Sequence, residues 1–208
     1  MEEKNYVKIL VEDIHTTVVA TVDKEGKPVT TAMDMMDYDE DGIYFLTARG
    51  KSIYDRLKDD PYISLTGLKG ESTIKSISIS LTGEAVEIGT SMLPALFDKN
   101  PYMYKIYPTV FSRDALTVFR IQNIKGEFFD LSKKPIERAS FALGKIAPVE
   151  TGYYVEESEC IGCRVCLAKC PEGCIDLSSG TAKIKEENCL QCGNCYDLCP
   201  VGAIIKRG

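Results

Sequence analysis

Cysteine is missing from the first 159 residues of this chain, and 208 residues provide a single histidine, His15. One imidazole argues against a histidine-rich metal site and against a histidine-based catalytic triad. Standing at the start of an expected strand, His15 reads as a structural or surface residue. No strand is followed by G-x-G-x-x-G, so a Rossmann-type dinucleotide site finds no support, and no G-x-x-x-x-G-K-[ST] marks a P-loop. No window approaches eighteen uninterrupted apolar residues, which speaks against a membrane span. The opening "MEEKNYVKIL" has no basic region running into an apolar stretch, so no secretory signal is expected. A formal net charge of −6 and the lack of any Lys/Arg run speak against nucleic acid as a partner. Together these absences point to the cytoplasm, where closely spaced cysteines are metal ligands or redox groups rather than disulfides. The remainder is ordinary: 44% hydrophobic and 27% charged residues, with length for one domain plus a small one.

All nine cysteines fall in the last 49 residues. "CIGCRVCLAKCP", from Cys160 to Pro171, and "CLQCGNCYDLCP", from Cys189 to Pro200, share the pattern C-x2-C-x2-C-x3-C-P at an offset of 29 residues. "PEGCI" at 171–175 answers "PVGAI" at 200–204, and Val155 answers Ile184, so the segment is an internal repeat. Cysteines at i, i+3 and i+6 let a loop wrap a cubane and aim three thiolates at three iron corners. The fourth corner needs a ligand from elsewhere, and in this motif the fourth cysteine serves the other cluster. Cys160, Cys163, Cys166 and Cys199 are therefore assigned to one [4Fe-4S] cluster, and Cys189, Cys192, Cys195 and Cys170 to the other. Structural zinc gives no reason for a third cysteine at i+6 or for the proline that follows each fourth one. The stretch resembles a bacterial-type two-cluster ferredoxin over residues 152–208, a small α+β domain. Cys174 stands where the other repeat has Ala203 and reads as a small buried residue. So short a segment has little apolar core, and the clusters supply much of its folding energy. Six Lys/Arg against nine Asp/Glu over 150–208 leave its outside acidic.

The first 150 residues are mainly β in periodicity. "TTVVATV" (16–22) and "VTTAMDMM" (29–36) flank the turn "DKEGKP" as a hairpin. "IYFLT" (43–47), "YISLTGL" (62–68) and "TIKSISISLTGEAVEI" (73–88) read as strands. "ALTVFRIQNIKGEFFDL" (115–131) reads as two strands bending at Lys125–Gly126. "KSIYDRLKDD" (51–60) is an amphipathic helix with Ile53 and Leu57 on one face, and "SMLPALFDKN" (91–100) is a second. Six or seven strands with short helices predict a closed or partly closed antiparallel barrel. The aromatic run "NPYMYKIYPTVF" (100–111) reads as packing, with a pocket wall as the alternative.

"TARGKS" (47–52) sets Arg49 and Lys51 at the entrance of a helix, where the dipole already favours an anion. A bound phosphate would turn that conflict into a site, with the Thr47 and Ser52 hydroxyls completing a cradle; the alternative is a pair of solvated surface cations, and this feature alone favours neither. The wider pattern "GKPVTTAMDMMDYDEDGIYFLTARGKSIYDRLKDDPYISL" resembles the pyridoxamine-phosphate-oxidase-like FMN-binding split barrels, over residues 5–131. The resemblance implies a mainly β split antiparallel barrel with short helices, and a homodimer with an FMN in each of two clefts at the subunit interface. It implies that Thr47, Arg49, Lys51 and Ser52 hold the FMN phosphate. It also implies that Thr30, Thr31, Ala32 and Met33 lie along the isoalloxazine ring, and that Phe111 and Arg113 come from the second subunit. The basic residues that the vitamin-forming enzymes place on that strand are replaced here by "VTTAMDM", which argues against pyridoxal phosphate synthesis.

The expected organisation is a barrel over 1–131, a linker over 132–151 and a ferredoxin domain over 152–208. The expected activity is that of an oxidoreductase. Electrons from a low-potential protein partner pass singly through the clusters to or from FMN, and a small-molecule acceptor is reduced over the flavin. The rival expectation is a non-catalytic electron-transfer protein whose barrel dimerises and docks. A haem-binding barrel is a third, short of histidine.

Overall fold

The computed structural model describes residues 3–147 and 150–208. Met1 and Glu2, and Pro148 and Val149 within the stretch expected as a linker, lie outside the described residues. The chain forms two compact units, one of Met1–Lys69, Ser78–Gly126 and Phe141–Ala147, the other of Gly70–Ile77, Glu127–Ser140 and Pro148–Gly208.

The first unit opens with helix α1, Glu3–Lys8, which runs into a π-helical segment, Ile9–Ile14, that buries Leu10 and Val11. The strands that follow in sequence are β1 Thr16–Val22, β2 Pro28–Asp34, β3 Asp37–Tyr38, β4 Ile43–Ala48, β5 Tyr62–Gly70, β6 Ser76–Gly89, β7 Leu116–Asp130 and β8 Glu137–Leu143, of which the start of β6, the end of β7 and β8 up to Ser140 are counted with the second unit. They form one eight-stranded sheet in the order β2-β1-β5-β6-β7-β4-β3, with β8 paired to β7. The architecture is mainly β, the antiparallel barrel that the alternation predicts, in the split form that the family resemblance implies. β1 and β2 make the expected hairpin, with Thr16 opposite Asp34. Asp23 ties its turn by accepting from the backbone N–H of Glu25 and of Lys27, each at 2.9 Å.

Alternation places the core. On β1, Thr17, Val19 and Thr21 point inward, and on β5, Ile63 and Leu65 do the same. β4 is buried along nearly its whole length, the continuous apolar run of a strand covered on both faces. Its Phe45 faces Phe119 of β7 across the ladder, with ring centroids 5.5 Å apart. Each buried ring stabilises the fold by about 1.5–3 kcal/mol. Helix α2, Ser52–Asp59, buries the predicted Ile53 and Leu57 and ends before Pro61. Helices α3 Leu93–Lys99, α4 Met103–Ile106 and α5 Val110–Arg113 fill the connection from β6 to β7.

Three expectations need correction. Residues 115–131 do not bend into two strands at Lys125–Gly126; β7 is one strand of fifteen residues. Gly126 is there for close approach, because a Cβ at that position would strike the Phe141 ring. The irregular residue in β7 is Asn123, at φ 53°. The strand expected from residue 73 begins at Ser76, after a single 3₁₀ turn over Thr73–Lys75. The stretch 132–151 is not free chain, since β8 lies within it and pairs with β7.

The second unit contains β9 Gly152–Val155, helix α6 Val165–Lys169, β10 Ile175–Asp176, β11 Lys183–Ile184, helix α7 Asn194–Asp197 and β12 Ile204–Arg207. β9 pairs with β12, bringing Val155 opposite Ile204, and β10 pairs with β11, bringing Ile175 opposite Ile184. The repeat is visible in the hydrogen bonds. Glu156 N donates to Ala203 O and Lys185 N to Cys174 O, both at 2.8 Å and 29 positions apart. Positive φ recurs at matching places, Gly162 with Gln191, Arg164 with Gly193 and Gly173 with Gly202. No helix among the described residues is long and apolar enough to cross a membrane.

Candidate functional site

Two kinds of site stand out, one in each unit. In the first unit a cleft of about 230 Å³ lies between the β1–β2 hairpin, the end of β4 and the segment that carries α4. Ala32 and Met33 of β2, Thr47 of β4 and Lys51 at the entrance of α2 all line it. Thr47 is 2% exposed, and its Oγ1 has no hydrogen-bond partner. A buried unpaired hydroxyl and a lysine in one cleft lining suit an anion.

The other residues expected around a cofactor stand outside this lining. Thr30 is exposed, and Thr31 accepts from Arg56 at 3.3 Å. Arg49 donates to the backbone carbonyls of Asp114 and Leu116, because the sheet brings the end of β4 beside the start of β7. Ser52 begins α2. Phe111 is 86% exposed. Arg113 donates to the carbonyls of Tyr107 and Pro108 and lies over the rings of Phe97 and Tyr104.

The far wall of the cleft comes from Tyr102, Met103, Ile106 and Tyr107, so the aromatic run is a pocket wall as well as packing. Asp34 and Tyr102, which the sequence reading did not single out, also line the cleft and are joined by a 2.7 Å hydrogen bond. Burial pushes the Asp34 carboxyl up. The hydrogen bonds from Thr16 and Tyr102 and the neighbouring His15 outweigh burial, and the group ends below its ordinary value. Burial and the Asp34 carboxylate push the Tyr102 phenol well up. The signal that would have found this pair was His15 itself, the one imidazole, at the foot of the hairpin.

In the second unit two cavities lie within the repeat. One is lined by Cys160, Cys163, Cys166 and Cys199, the other by Cys170, Cys189, Cys192 and Cys195. Each cavity thus gathers three cysteines of one run and the last cysteine of the other. Cys174 lines the second cavity too, with Sγ 3.4 Å from that of Cys170. No group of three or more His, Cys, Asp or Glu among the described residues converges on a point for a single metal ion. A zinc ion needs four sulfurs about 2.3 Å from one centre. Four cysteines spread around a cavity suit a polynuclear cluster instead. The N–H groups of Ala182 and Gln191 point at the Cys160 and Cys189 sulfurs, at 3.4 and 3.3 Å. Such bonds favour thiolate and raise a cluster's potential.

Comparison with known proteins divides the chain in two. Residues 4–128 match the Pyridoxamine 5'-phosphate oxidase family, and residues 159–203 match a 4Fe-4S dicluster domain. No curated protein matches the chain. Among solved structures, a NimC/NimA family protein from Clostridium acetobutylicum aligns with a TM-score of 0.56 at 17% identity, covering 68% of this chain and 92% of its own. A protein from the same organism, related to general stress protein 26 of B. subtilis and of the pyridoxinephosphate oxidase family, gives 0.51 at 19%, covering 68% and 96%. A heme-binding protein from Mycobacterium smegmatis gives 0.52 at 14%, covering 68% and 58%. Identities this low show the shared barrel fold and nothing finer. The family match spans more than half of the chain, and its cysteine-rich remainder carries the dicluster signature. The chain belongs to the pyridoxamine 5'-phosphate oxidase family, with a 4Fe-4S dicluster domain joined to the barrel in one polypeptide.

Proposed function

We propose that this chain is a flavin/iron–sulfur oxidoreductase, in which two [4Fe-4S] clusters exchange electrons singly with an FMN and a small-molecule acceptor is reduced in the barrel cleft. The observation that carries the reading is the buried, unpartnered Thr47 hydroxyl in a cleft that Lys51 also lines. Leaving such a hydroxyl unpaired costs about 1–3 kcal/mol, a cost that a phosphate oxygen removes. The residues present therefore fit a phosphate-bearing cofactor. Thr47 and Lys51 would hold the phosphate, and Ala32 and Met33 would follow the ring.

When bound, FMN links one-electron to two-electron chemistry, and each cluster carries one electron at a time. The chain supplies the rest. Its two four-cysteine sets hold the clusters, and their backbone N–H donors and burial set the potentials. One polypeptide keeps the relay at high effective concentration near the flavin.

A homodimer accompanies this reading. The cleft, at about 230 Å³, is smaller than the 300–1,000 Å³ usual for such ligands. Ile106, Val110 and Phe111 are exposed at 59%, 72% and 86%, apolar surface that a second copy would cover. Phe111 and Arg113 of that copy would then complete the site. The domain limits 1–131 and 152–208, a cytoplasmic setting and a low-potential protein partner for the acidic ferredoxin portion belong to the same proposal. FMN is favoured over haem because His15, the one histidine, stands outside the cleft lining with both ring nitrogens engaged.

The test is cofactor content after anaerobic purification: iron and acid-labile sulfide per chain, with released flavin identified by chromatography. About eight irons and one FMN per chain are expected. Iron without flavin, even after FMN is added, would overturn the cleft assignment and leave the electron-transfer protein.

A further inference from the structure

The wall of the cleft contains a hydrogen-bond network that the cofactor reading does not use. Tyr102 Oη donates to Asp34 Oδ2 at 2.7 Å, and His15 Nε2 lies 2.9 Å from the same Oη. His15 Nδ1 lies 3.3 Å from the Val11 carbonyl oxygen, and Thr16 Oγ1 donates to Asp34 Oδ1 at 2.6 Å.

Hydrogens can be counted along this chain. A carbonyl oxygen only accepts, so the contact of His15 Nδ1 with Val11 is a hydrogen bond only if Nδ1 carries a hydrogen. The Tyr102 hydrogen is committed to Asp34, which takes two donors as a carboxylate does. The contact between Nε2 and Oη then needs a hydrogen on Nε2. Three contacts need three hydrogens, whereas a neutral imidazole, a phenol and a carboxylate bring two. A carboxylic acid at Asp34 would bring the third, but against burial the hydrogen bonds from Thr16 and Tyr102 hold that carboxyl below its ordinary value.

The backbone is arranged to hold this imidazole in place. His15 adopts φ 64° and ψ −63°, a conformation that side-chain-bearing residues rarely take. Its N–H donates to Leu10 O and its carbonyl accepts from Met35 N, each at 2.8 Å. The charged groups next to His15 in sequence are paired. Glu12 and Asp13, beside His15, pair with Lys8 and Lys69, and Glu12 also accepts from Tyr38. Lys51 is the cation on the cleft side.

We propose that His15, Tyr102 and Asp34 hold one proton more than a neutral imidazole, a phenol and a carboxylate carry, and that Tyr102 Oη delivers it to an acceptor being reduced in the cleft. The acceptor class is one whose reduction takes up protons, such as a conjugated carbonyl or a quinone. A quinone becomes a hydroquinone by gaining two electrons and two protons. The electrons, with one hydrogen, come from reduced flavin. The other proton leaves Tyr102 as its O–H bond breaks and an O–H bond forms on the acceptor. His15 Nε2 then gives its proton back to Tyr102 and is left a neutral imidazole, to be recharged from solvent. The delivery step rests on the proposed flavin function; the stored proton does not.

The single histidine makes the stored proton directly observable. In the ¹⁵N-labelled holoprotein with oxidised clusters, the imidazole should show two nitrogen-bound protons at pH 7, and Y102F should lose the one on Nε2. One proton, on Nδ1 only, would overturn the inference, as would an Nε2 proton equally retained in Y102F and D34N. Delivery is read in FMN-loaded, reduced holoprotein by two oxidants, duroquinone, which takes up protons, and ferricyanide, which takes electrons alone. Y102F should slow duroquinone about 100-fold more than it slows ferricyanide. An equal loss with both oxidants would overturn delivery. Failure of the flavin reading would show separately, as missing flavin absorbance before any rate is measured.

Discussion

Cys174 Sγ lies 3.4 Å from Cys170 Sγ, and no such pair exists in the other repeat, where Ala203 stands in the place of Cys174. Two thiols thus compete for one corner of the second cavity, and the repeat decides between them. Cys170 answers Cys199, whereas Cys174 answers a residue that cannot ligate. Cys174→Ala should keep about eight irons per chain, and Cys170→Ala should fall to about four. Iron and sulfide analysis checks both, and iron loss in Cys174→Ala would exchange the two roles.

Thr47 makes a prediction of opposite signs in two states. Without cofactor, Thr47→Val removes an unpaired buried hydroxyl and should raise stability by up to about 1 kcal/mol. With FMN, the same change should weaken binding by roughly tenfold or more, the worth of a hydrogen bond to a charged group. Thermal unfolding with and without added FMN reads both effects.

Gly126 allows the Phe141 ring to lie against β7. Gly126→Ala should destabilise the first unit by about 1–3 kcal/mol through overpacking. The double variant Gly126→Ala/Phe141→Leu should recover part of that loss, because the shorter side chain vacates the space. Urea unfolding followed by far-UV circular dichroism gives the comparison.

Two carboxylates should make the barrel acid-sensitive. Burial pushes the Glu87 carboxyl up, but hydrogen bonds from Lys58 and Thr117 and the Lys58 charge outweigh it, and the group ends below 4.5. Asp34 likewise ends below 3.8. A carboxyl lowered in the folded state stabilises it above the unfolded value, and that stability disappears as pH falls through the folded value. Unfolding free energy should therefore drop as pH falls below about 4. The drop should be shallower in Glu87→Gln and in Asp34→Asn. Acid loss of the clusters is common to all variants, so the difference from wild type isolates the carboxyl.

What could be read in advance was whatever physical chemistry keeps local in sequence. Ligand geometry confines each cluster motif to a dozen residues, and period-two alternation marks β1, β5 and β6 without help from the rest of the fold. Gly126 misled because the reason for it is Phe141, a residue on another strand. β8 was hidden because its inward-facing Arg138 breaks the apolar alternation. That guanidinium is met by Glu127 and Thr151, contacts that no local pattern announces. Arg49 was expected to reach a phosphate, yet it bonds to carbonyls some 65 positions along the chain. The network of His15, Asp34 and Tyr102 joins three distant positions, each unremarkable alone.

The crossed pairing of β9 with β12 and of β10 with β11 has a consequence for descent. Each 29-residue repeat supplies three sulfurs to one cavity and lends its last to the other, so one copy alone would be incomplete, but two identical copies would complete each other. Such self-complementarity is the hallmark of a twofold-symmetric dimer. Fusing the copies in tandem removes the dependence on concentration and lets the halves drift apart. That drift is already visible in Cys174 opposite Ala203, and in Arg164, which keeps at φ 68° the backbone conformation that Gly193 adopts at 82°.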